Sequence, residues 1–158
     1  MEERMKIAFA SDHAALEQRD SLIACIREMG HTVMDCGSRS SRPVDYPDYA
    51  RKAILAVIEG RADEAILAAG SGIGMTILAN KFPGISCALC TDPQAAEWAR
   101  RHHDANIIAL RCRKQSLKEN LHIVKTWFSH QFSEERRFKR RIRKLMDISK
   151  TIYKGELP

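Results

Sequence analysis

No stretch of this 158-residue chain approaches the ~20 consecutive apolar residues that a membrane-spanning helix needs. The N-terminal segment MEERMKIAFA lacks the apolar run of a secretory signal, so the reading is a cytoplasmic protein with no membrane association. Internal repeats, low-complexity tracts and linkers are all missing, which leaves no seam at which to divide the sequence. With 44% apolar and 29% charged residues, disorder and fibrous architectures are also excluded, and the length suits one domain over residues 1–158 with a proper core.

Cysteine is scarce and odd in number. Cys25, Cys36, Cys87, Cys90 and Cys112 cannot all pair, and most lie in apolar stretches, which favours buried reduced thiols. Cys87 and Cys90 form a CxxC, but inside the strand-like ISCALC. Residues three apart on a strand point to opposite faces and cannot chelate one metal, so no metal site is expected. Acidic balance is missing too, at a net charge of +6. Yet RRFKRRIRK (Arg136–Lys144) alone carries seven positive charges, which leaves −1 for the rest of the chain. The basicity is therefore local, and nucleic-acid binding is not expected.

What the chain does have is strict alternation. Strand-like KIAFAS, HTVMDCG, EAILAAG, GISCALC and NIIAL alternate with amphipathic stretches. The helices read as ending at Gly30, running from near Pro47 to Gly60, from about Gly72 to Lys81, and from Asp92 as N-cap with Pro93 at the first position. Two more follow: one with Leu117, Leu121, Val124 and Phe128 on a face, and one over about 134–153 with Ile142, Leu145, Ser149 and Ile152 turned inward. Near-continuous apolar strands between helices predict a Rossmann-like three-layer α/β/α fold with a five-stranded parallel sheet, in the order 2-1-3-4-5. Ligands bind such sheets at the carboxyl ends of strands beside a switch point, here between strands 1 and 3.

Two polar clusters fall there. GSGIG places Gly70, Gly72 and Gly74 just before a helix, where backbone N–H groups can turn toward an anion. A tight turn without a ligand explains the loop equally well. No Lys follows it and the spacing is not GxGxxG, so a nucleotide reading is weak. The residue before the first glycine, where a nucleophile or base would stand, is Ala69. The second cluster is Ser11, Asp12 and His13, whose blander reading is a helix cap. Further along, RRHHDAN ends a helix with His102 and His103, and Arg137 and Arg141 share a helical face able to clamp a phosphate or simply to meet solvent. Pro47 restricts Tyr46 to extended backbone.

In this order, SDH, VDYPDYA, GSGIGMTILANKFPGI, RxHxDAN and the late RxxxR resemble type B ribose-5-phosphate isomerases, in a family that also includes galactose-6-phosphate isomerase. The resemblance covers about Met5 to Met146. It implies an aldose–ketose isomerase of the pentose phosphate pathway, without metal or cofactor. It also implies a homodimer or dimer of dimers with sites shared between subunits, onto which the last helix packs if not onto its own domain. By motif, His102 would open the furanose ring and Arg137 and Arg141, helped by Arg113 and His13, would hold phosphate. Asp12 and Tyr46 would contact the sugar, Gly70 to Gly74 would form the anion hole, and Ser71 would shuttle protons between O1 and O2. His103 stands where Asn is common and would touch the reacting oxygens. Phe138 stands where His is common and would affect only the clamp's surroundings. The family supplies its base as Cys before the first glycine or Glu after the last; this chain has Ala69 and Met75. With everything around it kept, Ala69 reads as a single replacement of cysteine, introduced to trap substrate in preference to a natural loss. An allose or galactose 6-phosphate isomerase and a non-catalytic sugar-phosphate binder are the alternatives.

Overall fold

The computed structural model describes residues 4–155. Their order is β1 (Lys6–Ser11), a 3-10 turn (His13–Ala15), α1 (Leu16–Glu28), β2 (Thr32–Asp35), α2 (Tyr46–Ile58) and β3 (Glu64–Ala69). There follow α3 (Ile73–Ala79), β4 (Cys87–Leu89), α4 (Pro93–Arg101), β5 (Ile107–Arg111), α5 (Leu117–Phe128) and α6 (Arg136–Tyr153). All five strands pair in parallel.

Because strand side chains alternate, one apolar run feeds two cores. Ile66 and Ala68 of β3 join Leu22 and Ile26 of α1, Ala96 and Ala99 of α4, and Val124 and Trp127 of α5. Ala65, Leu67 and Ala69 turn the other way, onto Ala50, Ala53 and Ile54 of α2 and Met75 and Ala79 of α3. The second face is rich in alanine, which lets α2 and α3 lie close to the sheet and brings the start of α3 down onto the strand ends. Cys87 and Cys90 fall into opposite cores, as their spacing requires.

The sheet order is β2-β1-β3-β5-β4 rather than 2-1-3-4-5. The last two strands exchange places because of what each can bury. The five-residue β5 hides its first four residues completely, whereas β4 is three half-buried residues long. The short, wetter strand takes the edge, where one side of its backbone needs no partner. The switch point between β1 and β3 is unaffected.

Two further expectations change. Helix α2 takes in Tyr46 as its first residue, with extended backbone one place earlier at Asp45. Helix α6 does not turn Leu145 and Ile152 inward: they are 54% and 52% exposed, beside Ile148 and Tyr153. Phe138 alone is buried on this helix. Its own subunit meets only part of the apolar stripe, where Leu145, Ser149 and Tyr153 border Ala95, Trp98 and His103 of the α4 region. Among the described residues, no helix is long and apolar enough to cross a membrane.

Candidate active site

The register of the sheet assembles the first cluster. Ser11 pairs with Ala68, and Ala69 pairs with Arg111, so Asp12, Ala69 and the turn after β5 emerge side by side at the carboxyl edge. The backbone N–H of Asp12 donates to Ala68 O (3.2 Å), and that of Arg113 donates to Gly70 O (3.1 Å). Asp12, Ala14, Tyr46, Met75 and Arg113 join Ala69 and the glycine loop around a cavity of about 170 Å³.

The loop is free to serve a ligand. The N–H groups of Gly70, Ser71, Gly72 and Gly74 donate to no other described residue, and only Ile73 N–H is used locally, by Ser71 Oγ at 3.3 Å. Such uncommitted donors around one small space can hold an oxyanion. Two of the glycines are required by contact. Gly72 has φ +71°, and a Cβ there would lie 2.7 Å from Leu89 Cδ1. A Cβ at Gly74 would lie 2.5 Å from Tyr46 Cζ and 2.7 Å from its hydroxyl, so this glycine is what lets Tyr46 reach the cavity. Gly74→Ala should therefore displace the tyrosine and weaken ligand binding about tenfold or more, while overpacking removes about 1–3 kcal/mol of stability. Ligand titration and urea unfolding of this variant check both effects.

Asp12 does two things. Its Oδ1 accepts from Ala14 N–H at 2.9 Å and caps the 3-10 turn, as the bland reading had it. Its second oxygen bonds to no other described residue, and the carboxylate lines the cavity. His13 is used differently from expectation. Its Nδ1 accepts from Val44 N–H at 3.1 Å, which ties down the approach to α2, and it does not line the cavity. Cys112 lies near Asp12, but burial, reinforced by that carboxylate, pushes its thiol up to about 12, and it stays protonated at neutral pH.

The other half of the predicted site is elsewhere. Helix α4 begins after β4 at the carboxyl edge and runs back, so His102, which caps its C-terminus, lies at the amino edge, just before β5. There the His102 ring stacks on Phe138 (4.3 Å, 13°), with Trp98 on a parallel plane at 6.5 Å. Phe138 thus touches the histidine itself, beyond the effect on the arginines that sequence had assigned it. The Arg137 and Arg141 guanidinium groups lie 4.6 and 6.0 Å from the same ring. Arg137 also pairs with Glu135 at 2.9 Å. His102, His103, Phe138 and Arg141 line a second cavity of about 320 Å³ with Ser86, Ile142 and Leu145. A whole strand length separates this cluster from the glycine loop.

Sequence reasoning missed one buried device that positions His102. Glu64 opens β3 with an acidic residue, and its carboxylate pairs with Arg100 and accepts from Trp127 Nε1 at 2.9 Å. Arg100 lies 5.0 Å from the Trp127 ring and donates to Ala105 O at 3.2 Å, which fastens the 102–105 segment to the core. A charge heading an otherwise apolar strand was the one available signal.

Comparison with known proteins bears on both clusters. A model of the family described as "Ribose/Galactose Isomerase" matches residues 7–145. Ribose-5-phosphate isomerase B of Escherichia coli (strain K12) is 39% identical over 127 residues, covering 80% of this chain and 85% of that protein. Ribose-5-phosphate isomerase B of Mycobacterium tuberculosis (strain CDC 1551 / Oshkosh) is 33% identical over 148 residues, covering 93% and 91%. The solved structure of Leishmania infantum type B ribose 5-phosphate isomerase superposes with a TM-score of 0.90 at 34% identity, covering 94% of this chain and 98% of that one. The matched residues 7–145 run from β1 into the first half of α6, taking in the glycine loop, His102 and both arginines, and the chain belongs to the Ribose/Galactose Isomerase family.

Proposed function

We propose that this chain binds ribose 5-phosphate and interconverts it with ribulose 5-phosphate through a cis-enediolate, at a rate strongly reduced by the alanine at position 69. The observation that carries this reading is the carboxyl-edge cavity, where Asp12, Tyr46, Ser71 and Arg113 surround four unclaimed backbone N–H donors. Moving a carbonyl from C1 to C2 puts negative charge on the sugar oxygens, and those donors would stabilise it. Ser71 Oγ would carry a proton between O1 and O2.

The site is completed by a second copy of the chain. His102, Arg137 and Arg141 lie at the opposite edge from the loop, while Ile73 and Ile77 of α3 and Leu145, Ile148 and Ile152 of α6 are exposed. A two-fold pair that buries these stripes would bring the partner's histidine and arginines to the loop, as a homodimer or within a dimer of dimers. In that arrangement the partner's His102 opens the furanose ring and the partner's Arg137 and Arg141 hold the phosphate.

Calorimetry with ribose 5-phosphate tests the assignment. Arg141→Ala should weaken binding by about 2–5 kcal/mol once the charge pair with phosphate is desolvated. Unchanged affinity removes the arginine from the site. A monomer in light scattering that still binds the sugar phosphate excludes a shared site. Binding without any ketose formed would favour the second reading, a sugar-phosphate binder, for which the missing thiol at position 69 speaks.

A further inference from the structure

The cavity lacks both familial bases, yet it does not lack a proton acceptor. Ala69 and Asp12 are neighbours on adjacent strand ends, because Ser11 pairs with Ala68 in a parallel ladder whose strands run about 4.8 Å apart. A carboxylate on the β1 end therefore reaches the space that a thiol on the β3 end would have served. Its Oδ1 is held by Ala14 N–H, which fixes the group, and Oδ2 bonds to no other described residue.

The other polar side chains around the cavity are the Tyr46 and Ser71 hydroxyls and the Arg113 guanidinium. A guanidinium is a donor only and the hydroxyls are donors as well as acceptors, whereas an ionised carboxylate is acceptor-only. The Cys112 thiol is protonated, His13 uses Nδ1 on Val44, and His102 lies at the far edge of the sheet.

We propose that Asp12 is the base of this chain, taking the C2 proton of the open-chain aldose and returning it at C1. This rests on the reading of the cavity as a sugar-phosphate site. As the C2–H bond breaks, its electron pair forms the C1=C2 double bond and the carbonyl pair moves onto O1, where the loop N–H groups receive it. A proton passes from O2 to O1, the C2=O bond forms, and the protonated Asp12 gives its proton to C1. Nothing is oxidised overall, and no co-reactant is needed. A carboxylate that also serves as a cap is held less freely than a dedicated base, so turnover through it is expected to be slow.

Asp12→Asn isolates the role, since an amide oxygen can still accept from Ala14 N–H while the group can no longer take up a proton. Ketose formation from ribose 5-phosphate is followed by NMR in D2O, which also reports deuterium gained at C1, with affinity measured by calorimetry. The unmodified chain should form labelled ketose slowly. Asp12→Asn should lower that rate about 100-fold or more with Kd changed by less than about threefold. In an Ala69→Cys background, where a thiolate can take the proton, the same substitution should lower kcat far less. Equal losses in both backgrounds, an unchanged rate in Asp12→Asn, or anomer exchange without ketose from the unmodified chain would each overturn the proposal. Failure of the unmodified chain to bind ribose 5-phosphate would instead remove the site reading, and this proposal with it.

Discussion

Replacing Ala69 by cysteine is expected to raise kcat for ribose 5-phosphate isomerisation by about 10²–10⁴-fold, the range that a positioned acid–base group supplies. The Cβ of Ala69 already faces the cavity, so a sulfur there projects among the free N–H donors of Gly70, Ser71 and Gly72. Those donors and the nearby Arg113 favour a thiolate over a thiol. The contacts to the sugar are untouched, so KM should move by a few-fold at most. Met75 borders the cavity as well but is fully buried against α2 and α3, so a glutamate there would have to exchange that apolar packing for the ligand space, at a cost in stability that the cysteine avoids. A chain that already turns over at a rate typical of enzymes, and gains nothing from the cysteine, would show that Ala69 does not mark the reacting position.

The second large effect concerns stability. Arg100→Met should lower the unfolding free energy by about 3–5 kcal/mol, because it leaves the Glu64 carboxylate buried without its cation. Proteins of this kind have about 5–15 kcal/mol in total. Burial pushes the Glu64 carboxyl above its ordinary range, and Arg100 and the Trp127 indole draw it back down. A raised folded value means that the native state holds the proton more tightly than the unfolded one. The contribution is thus complete below the unfolded value and is lost as pH rises through the folded one. Without Arg100 that upper limit moves higher, so the variant should be weaker at pH 8 than at pH 5. Glu64→Gln in the same background should recover much of the loss. Urea unfolding at the two pH values decides; equal losses at both would mean that Glu64 is not the charge left behind.

The parts of this molecule that local chemistry determines were legible in the sequence. Apolar runs punctuated by glycine predicted every strand, and Asp92 with Pro93 predicted the start of α4, where the Asp92 carboxylate does accept from Ala95 N–H at 2.7 Å. The meeting of Asp12 with the glycine loop was legible as well, because the switch point depends on alternation and not on the order of the outer strands. Relative burial was harder to read. NIIAL and ISCALC look equally apolar, and only the full sheet shows that β5 has neighbours on both sides while β4 has one. The inward face assigned to α6 failed for a related reason: an amphipathic period says that a helix has an apolar side, but not whose surface covers it. His13 belonged to a motif, and its bond to Val44 spans a turn whose path no periodicity predicts.

The placement of the two clusters at opposite edges of the sheet has a consequence for inheritance. If a second copy completes each site, as proposed above, two alleles of this chain can conceal one another's defects. Suppose one is broken at the glycine loop and the other at His102. Each alone yields only dead pairs. In a mixed pair, one composite site receives both lesions while the other joins the sound loop of the second subunit to the sound histidine of the first. A cell carrying both alleles would keep part of its activity, whereas two lesions on the same edge of the sheet would never complement.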